Sequence, residues 1–319
     1  MAAPRYLTAL AAMMTLVSAT NCDRARHTES ELGRWQIGTT AHDLAFAGES
    51  RSFLIHVPAS RMRTRLLRAV GFPLLVVLHG SGADGETIRR QTKFDSLSEI
   101  YHVAIAYPDG SSGLFGLGSD WNAGECCGTA ARRGVDDVGF IRAVIEEAKR
   151  HLPIDSRRIY VAGFSDGGRM AYHFACAASP DVAAIGVVSG SLVDSRCQPS
   201  RPVPVAIIHG TADEDVPFAD SALSASPFLL PPELLRLPPS ARFWAMENGC
   251  SGFVSRVIAP TVTRTSFHSC TGADVAFYGI SGGTHSWPGG KRDGADGQTP
   301  SQDLDASGTL IRFFLAHTR

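Results

Sequence analysis

Ser165 is the residue of this chain with the most chemistry gathered around it. It stands in Gly163-Phe164-Ser165-Asp166-Gly167, a G-x-S-x-G, with Gly168 following. The apolar stretch from Ile159 to Ala162 predicts a short buried strand, and a helix is expected to open near Gly167. A serine at the apex of so sharp a strand-to-helix turn takes a strained backbone conformation and lifts its hydroxyl clear of the sheet. Side chains two residues before and after it would collide with neighbouring elements, which is why glycine is needed there. The first free N–H groups of the helix lie beside the hydroxyl and can hold an oxyanion. With 32 glycines in the chain, such a pattern also arises by accident, and Gly279-Ile280-Ser281-Gly282-Gly283 matches as well. That copy runs into Thr284-His285-Ser286-Trp287-Pro288, which cannot start an amphipathic helix. Context therefore selects Ser165 as the nucleophile and leaves Ser281 as a loop residue.

A serine hydroxyl is a poor nucleophile at neutral pH unless a base takes its proton and a third group orients that base. Among eleven histidines, His285 lies in a glycine-flanked loop after the final predicted strand, where it can swing over the turn. His79 and His209 each precede a glycine at a strand end and are read as packing residues. His173, on the helix after Ser165, is expected to point away. The orienting carboxylate is expected just beyond His209-Gly210-Thr211-Ala212, at Asp213, with Asp215 as the alternative. The order Ser, Asp, His is that of the α/β-hydrolases. The second oxyanion donor is expected in the loop after Leu78, as the backbone N–H of Ser81 opposing that of Asp166.

The elements that must position these groups alternate strand with helix. Arg51–Val57 alternates like an edge strand. Leu74–Leu78, Val103–Ala106, Ala184–Val188 and Val203–Ile208 are continuous apolar runs of the kind buried on both faces. Helices are expected over Glu86–Ile100, Val135–His151 and Leu304–Ala316, the second capped by Asp136 and Asp137. A long glycine-rich loop, Ser111–Gly134, holds Trp121 and the Cys126-Cys127 pair. Ser226–Pro239 reads as a proline-rich surface excursion, and Val262–Phe267 and Val275–Ile280 as late strands. Such alternation means an α/β fold with a mostly parallel sheet covered by helices, whose ligands bind beyond the carboxyl ends of the strands. His79, Ser165, Asp213 and His285 all fall at such ends.

At 319 residues the chain is long enough for a full core. Its net charge of −1 gives no reason to expect nucleic acid or an anionic membrane as partner. Arg5 followed by the apolar run Leu7–Val17 and the small residues Ser18 and Ala19 reads as a signal peptide over residues 1–21, not a membrane span. Cys22 directly after it raises a lipid anchor. Residues 22–45 are expected to be a loose lead-in and residues 46–319 the catalytic domain. The other six cysteines form an even set that fits an exported, disulfide-bonded protein. Cys250 and Cys270, at the edges of one predicted segment, are expected to pair. No metal or other cofactor is expected, because no C-x-x-C and no histidines at ligand spacing occur.

Six stretches together resemble the secreted poly(3-hydroxybutyrate) depolymerase and feruloyl esterase family. They are Leu78-His79-Gly80-Ser81-Gly82, Trp121–Gly128, Gly134–Phe140, Gly163–Gly168, His209–Asp213 with Val216-Pro217, and Gly283–Gly289. The resemblance covers roughly residues 50–319 and implies an α/β-hydrolase with Ser165, Asp213 and His285 as triad and Ser81 and Asp166 as oxyanion donors. It further implies Trp121 and Trp287 as acyl-pocket walls. Polymer-degrading members often carry an extra binding domain, and none is seen here, so soluble esters or oligoesters are the expected substrates. A serine peptidase of the prolyl-oligopeptidase type and an inactive binding module are the competing readings. Amide against ester substrates, and labelling by a fluorophosphonate, discriminate them.

Overall fold

The computed structural model describes residues 35–59, 71–112, 118–218, 236–292 and 298–319. The expected signal peptide, Cys22 and most of the proline-rich excursion lie outside these residues. Residues 36–319 form one compact unit.

In chain order the elements begin with β1 (Gly38–Phe46), β2 (Glu49–Val57), β3 (Phe72–Leu78), α1 (Gly85–Thr92), α2 (Phe94–Tyr101) and β4 (Ala104–Pro108). A two-residue ladder, β5 (Ser111–Ser112) with β6 (Ser119–Asp120), leads to α3 (Gly128–Arg133) and α4 (Asp137–His151). Then come β7 (Ile154–Phe164), α5 (Asp166–Ala178), β8 (Ala184–Val188), β9 (Val205–Gly210) and α6 (Pro239–Glu247). β10 (Cys250–Ala259), β11 (Val262–Cys270), β12 (Val275–Ile280) and α7 (Ala306–Leu315) complete it.

Ten of these strands form one sheet in the order β1-β2-β4-β3-β7-β8-β9-β12-β11-β10. The six from β4 to β12 run parallel; β1 and β2 at one end, and β11 and β10 at the other, are antiparallel. The parallel strands are apolar throughout because helices cover both faces, and all seven residues of β3 are buried. The chain crosses from β3 to β4 on one side and returns to β7 on the other. The carboxyl ends of β3 and β7 therefore flank a topological switch point, where such sheets bind ligands. Register brings Leu78 beside Gly163 there.

Three expectations are corrected. Residues 38–45, assigned to the loose lead-in, belong with Phe46 to the edge strand β1, and Arg51–Val57 is the second strand in. β1 alternates between exposed and half-buried residues, but its half-buried Thr40 and His42 are polar, so its sequence carries only a weak apolar signature. The single helix over 86–100 is two helices, α1 and α2, broken at Lys93, whose φ is +57°. Neither glycine nor proline marks that break. Asp136 caps α4 by accepting from Gly139 N–H, but Asp137 does not. The Asp137 carboxylate is buried and accepts from Arg51 at 2.8 Å and from the Asn122 N–H at 2.8 Å. The described part of Ser111–Gly134 carries the small ladder and α3. The Cys250–Cys270 disulfide joins the outer hairpin, and Cys126–Cys127 and Cys176–Cys197 are also bonded.

Candidate active site

β7 delivers Ser165 and α5 begins one residue later. Ser165 sits at φ +54°, ψ −117°, a conformation costing on the order of 1–3 kcal/mol outside glycine. The turn is held by Ser165 N–H donating to Val188 O at 3.0 Å and Arg169 N–H donating to Ser165 O at 3.0 Å. Its glycines are dictated by proximity. A side chain at Gly163 would strike the backbone of Gly167, and one at Gly167 would strike the carbonyls of Leu78 and His79.

Asp213 and His285 reach Ser165 from strand ends farther along the sheet, beyond β8. β9 ends at Gly210 and β12 at Ile280, and these two residues are register partners. The loops beyond them are zipped together: Ala212 N–H donates to Gly283 O at 2.9 Å, and Gly282 N–H donates to the Thr211 hydroxyl at 2.9 Å. This contact holds Asp213 and His285 side by side. His285 Nδ1 lies 2.9 and 3.0 Å from the two Asp213 oxygens, and Nε2 lies 2.9 Å from Ser165 Oγ. A carboxylate only accepts, so Nδ1 carries the ring proton and Nε2 is left to accept from the serine hydroxyl.

Asp213 is fully buried, and burial alone would push its pKa up. Hydrogen bonds from His209, His285 and the Val216 N–H, with the charge of His285, outweigh it and hold the carboxyl well below the usual range. Asp213 is thus ionised at neutral pH. His209 Nε2 donates to Val216 O at 2.8 Å and lies 3.4 Å from Asp213, so it braces the acid as well as the loop. That bracing had no signature in sequence beyond the four-residue spacing. Asp215, the alternative acid, is exposed and faces Gln298. Ser281 lies exposed in a turn.

The family model described as esterase PHB depolymerase matches residues 65–213. "Putative esterase NocK" of Nocardia uniformis subsp. tsuyamanensis is 32% identical over 300 residues, covering 87% of this chain and 83% of that protein. The chain belongs to the esterase PHB depolymerase family. Feruloyl esterase B of Piromyces equi is 32% identical over 228 residues, 69% of this chain but 40% of that longer protein. The acetyl xylan esterase structure from Aspergillus awamori aligns with a TM-score of 0.55 at 14% identity, over 86% of this chain and 98% of that one, which shows a shared fold. The protein is a serine carboxylic-ester hydrolase with the α/β-hydrolase fold.

The remaining expected residues of this PHB-depolymerase-family esterase fall into two groups. Ser81 follows the end of β3 and Asp166 the end of β7, the two strands that flank the switch point. Asp166 N–H is at the first helical position of α5, where no intrahelical acceptor exists. Trp121 and Trp287, in contrast, are both 0% exposed and present no ring surface to a substrate, so they do not form pocket walls here. Trp121 Nε1 donates to His79 O at 3.0 Å, and Trp287 Nε1 donates to Ser307 Oγ at 2.9 Å. Trp287 packs edge-on to Phe164, whose ring lies 4.9 Å from that of His285. Both indoles support the site from behind.

His79 is buried, with Nδ1–H donating to Gly80 O at 2.7 Å and Nε2 accepting from Gly110 N–H at 2.8 Å. Burial lowers its pKa, so it stays neutral and shapes the loop. His173 faces away from Ser165 and pairs with Asp194 at 2.8 Å.

Proposed function

We propose that Ser165 is the nucleophile, His285 the general base, Asp213 the orienting carboxylate, and the Ser81 and Asp166 N–H groups the oxyanion donors. The observation that carries this reading is the unbroken line Ser165 Oγ–His285 Nε2 at 2.9 Å and His285 Nδ1–Asp213 at 2.9 Å. His285 takes the hydroxyl proton as Ser165 Oγ attacks the ester carbonyl carbon. The tetrahedral oxyanion then forms against the two N–H groups. When the C–O bond to the alcohol breaks, the imidazolium returns its proton to the departing oxygen, leaving an acyl-serine. Water repeats the sequence, giving its proton to His285 and releasing the acid. Asp213 stays ionised throughout and stabilises the imidazolium.

The substrate class we propose is a soluble ester or oligoester. Relatives named as feruloyl esterases and as an acetylxylan esterase support testing feruloyl and acetyl groups, and the family description supports hydroxybutyrate esters. Export is proposed as well. It rests on the sequence reading of residues 1–21 and on three disulfides, which persist in oxidising compartments. No helix among the described residues is long and apolar enough to cross a membrane. Ser165→Ala should abolish hydrolysis of p-nitrophenyl acetate and labelling by a fluorophosphonate while leaving the unfolding transition intact. Undiminished turnover in that variant would end the assignment.

A further inference from the structure

The two proposed oxyanion donors belong to different strand ends, Ser81 after β3 and Asp166 after β7. An oxyanion must lie about 2.7–3.1 Å from each N–H to be stabilised, so a drift of one loop by 1 Å loses one bond. We infer that Asp120, together with its neighbour Trp121 and the Asp166 carboxyl, is a positioning bridge that holds these two donors in register. This rests on the reading of Ser81 and Asp166 as oxyanion donors.

The bridge is continuous. The Ser81 hydroxyl donates to Asp120 Oδ1 at 2.5 Å, and Gly82 N–H donates to Ser119 O at 2.8 Å, so the Ser81 loop is fastened to residues 119–120. The next residue carries the second half. Trp121 N–H donates to Asp166 Oδ2 at 2.9 Å, and its indole N–H donates to His79 O at 3.0 Å. Asp120 is itself anchored, since Oδ2 accepts from Thr129 N–H at 3.2 Å near the start of α3. A side chain at Gly128 would strike that Asp120 carboxylate, and one at Gly110 would lie 2.7 Å from Asp120 O. Glycine at 110 and 128 thus lets the backbone and the carboxylate of Asp120 be approached closely.

Asp166 adds a second, independent sign that its carboxyl is placed for Trp121. It is 1% exposed, and Oδ1 has no hydrogen-bond partner among the described residues. A chain selecting only for packing would gain nothing from a carboxyl in such surroundings. Its one hydrogen bond reaches the backbone of the bridging loop.

The test separates donor from positioner. Ser81→Ala keeps the backbone N–H and removes only the tie to Asp120. We expect kcat on p-nitrophenyl acetate to fall about 10–100-fold, less than the ~10²–10³ for losing a donor outright, with KM changed less than about threefold. Ser81→Thr, which keeps a hydroxyl, should restore most of kcat. Asp120→Ala, which also loses the Thr129 tie, should fall at least as far, and the double variant should be no worse than Asp120→Ala, because the link that Ser81→Ala breaks is already gone. Affinity for a trifluoromethyl ketone, which forms the tetrahedral oxyanion, should weaken in proportion to kcat/KM. Wild-type kcat in Ser81→Ala, or strictly multiplicative losses in the double variant, would overturn the bridge. Ser81 is exposed, so its hydroxyl can be removed even if Asp120→Ala fails to fold. Should Ser165→Ala remain active, the triad reading fails; should it be dead while Ser81→Ala is unimpaired, only the bridge fails.

Discussion

Replacing Asp166 with asparagine should make the protein more stable, and increasingly so as pH rises. Burial pushes this carboxyl from its ordinary 3.8 up to about 7, because the Trp121 hydrogen bond and the nearby Arg169 offset only part of the lost solvation, while Asp120 and Asp137 add repulsion. The folded protein therefore binds the proton more tightly than the unfolded chain does. Below about pH 4 both states are largely protonated and the group costs little. Between about pH 4 and 7 the unfolded chain releases a proton that the folded one keeps, so this contribution to stability falls as pH rises; above about 7 the loss is complete. At about 1.4 kcal/mol for each tenfold change, the full loss is on the order of 4 kcal/mol. Asparagine has the same shape, stays neutral, and its Oδ1 still accepts from Trp121 N–H. Any fixed cost of seating the amide appears at every pH and cancels. Urea unfolding of both proteins at pH 4 and pH 8, extrapolated linearly to water, reads the difference directly. The advantage of the variant should grow by roughly 2–4 kcal/mol between the two. An advantage that does not change with pH would refute the claim that desolvation governs this carboxyl.

Asp213→Asn should keep the fold and lower kcat by about 10³–10⁴, because the amide no longer selects the Nδ1–H tautomer of His285; steady-state kinetics with a p-nitrophenyl ester checks it. Since the Asp213 carboxyl is held below its ordinary pKa, its pairing contributes stability above about pH 4 that is lost as pH falls through the depressed value. A wild-type protein should therefore lose more stability than Asp213→Asn on moving from pH 5 to 3. Arg51→Ala strands the buried Asp137 carboxylate and removes the guanidinium lying 3.9 Å above the Phe140 ring. Unfolding free energy should drop by about 3–5 kcal/mol in denaturant titration. Removing the Cys250–Cys270 disulfide by double serine substitution frees a loop of 20 residues' separation, and should cost about 3 kcal/mol or less in the same assay.

The site was legible where local chemistry is distinctive. Ser165 announces itself because a strained turn and two close backbone approaches leave glycine as the one tolerable residue at 163 and 167. His285 and Asp213 could be found because each follows a strongly apolar strand that had to lie in the parallel sheet. The errors follow from the opposite condition. β1 is half exposed, and its half-buried positions Thr40 and His42 are polar, so alternation shows only at Leu44 and Phe46. The break at Lys93 carries no glycine. Trp121 and Trp287 were expected as pocket walls because the family resemblance implied it, yet packing behind the loops consumed their whole surface. Arg51 and Asp137 meet across 86 positions, and no local pattern encodes that pairing.

Sequence alone determined which groups the proposed site brings together: hydroxyl, imidazole and carboxylate, in an order and at strand ends that parallel α/β topology places on one rim. Tertiary structure alone decided how they are held. The tie between the 211–213 and 282–285 loops, the support of Asp213 by His209, and the run from Ser81 through Asp120 and Trp121 to Asp166 all depend on contacts between distant segments. Those contacts are set by strand register and helix placement. Hydrophobic periodicity locates an element but says nothing of which polar atoms its neighbours turn toward it.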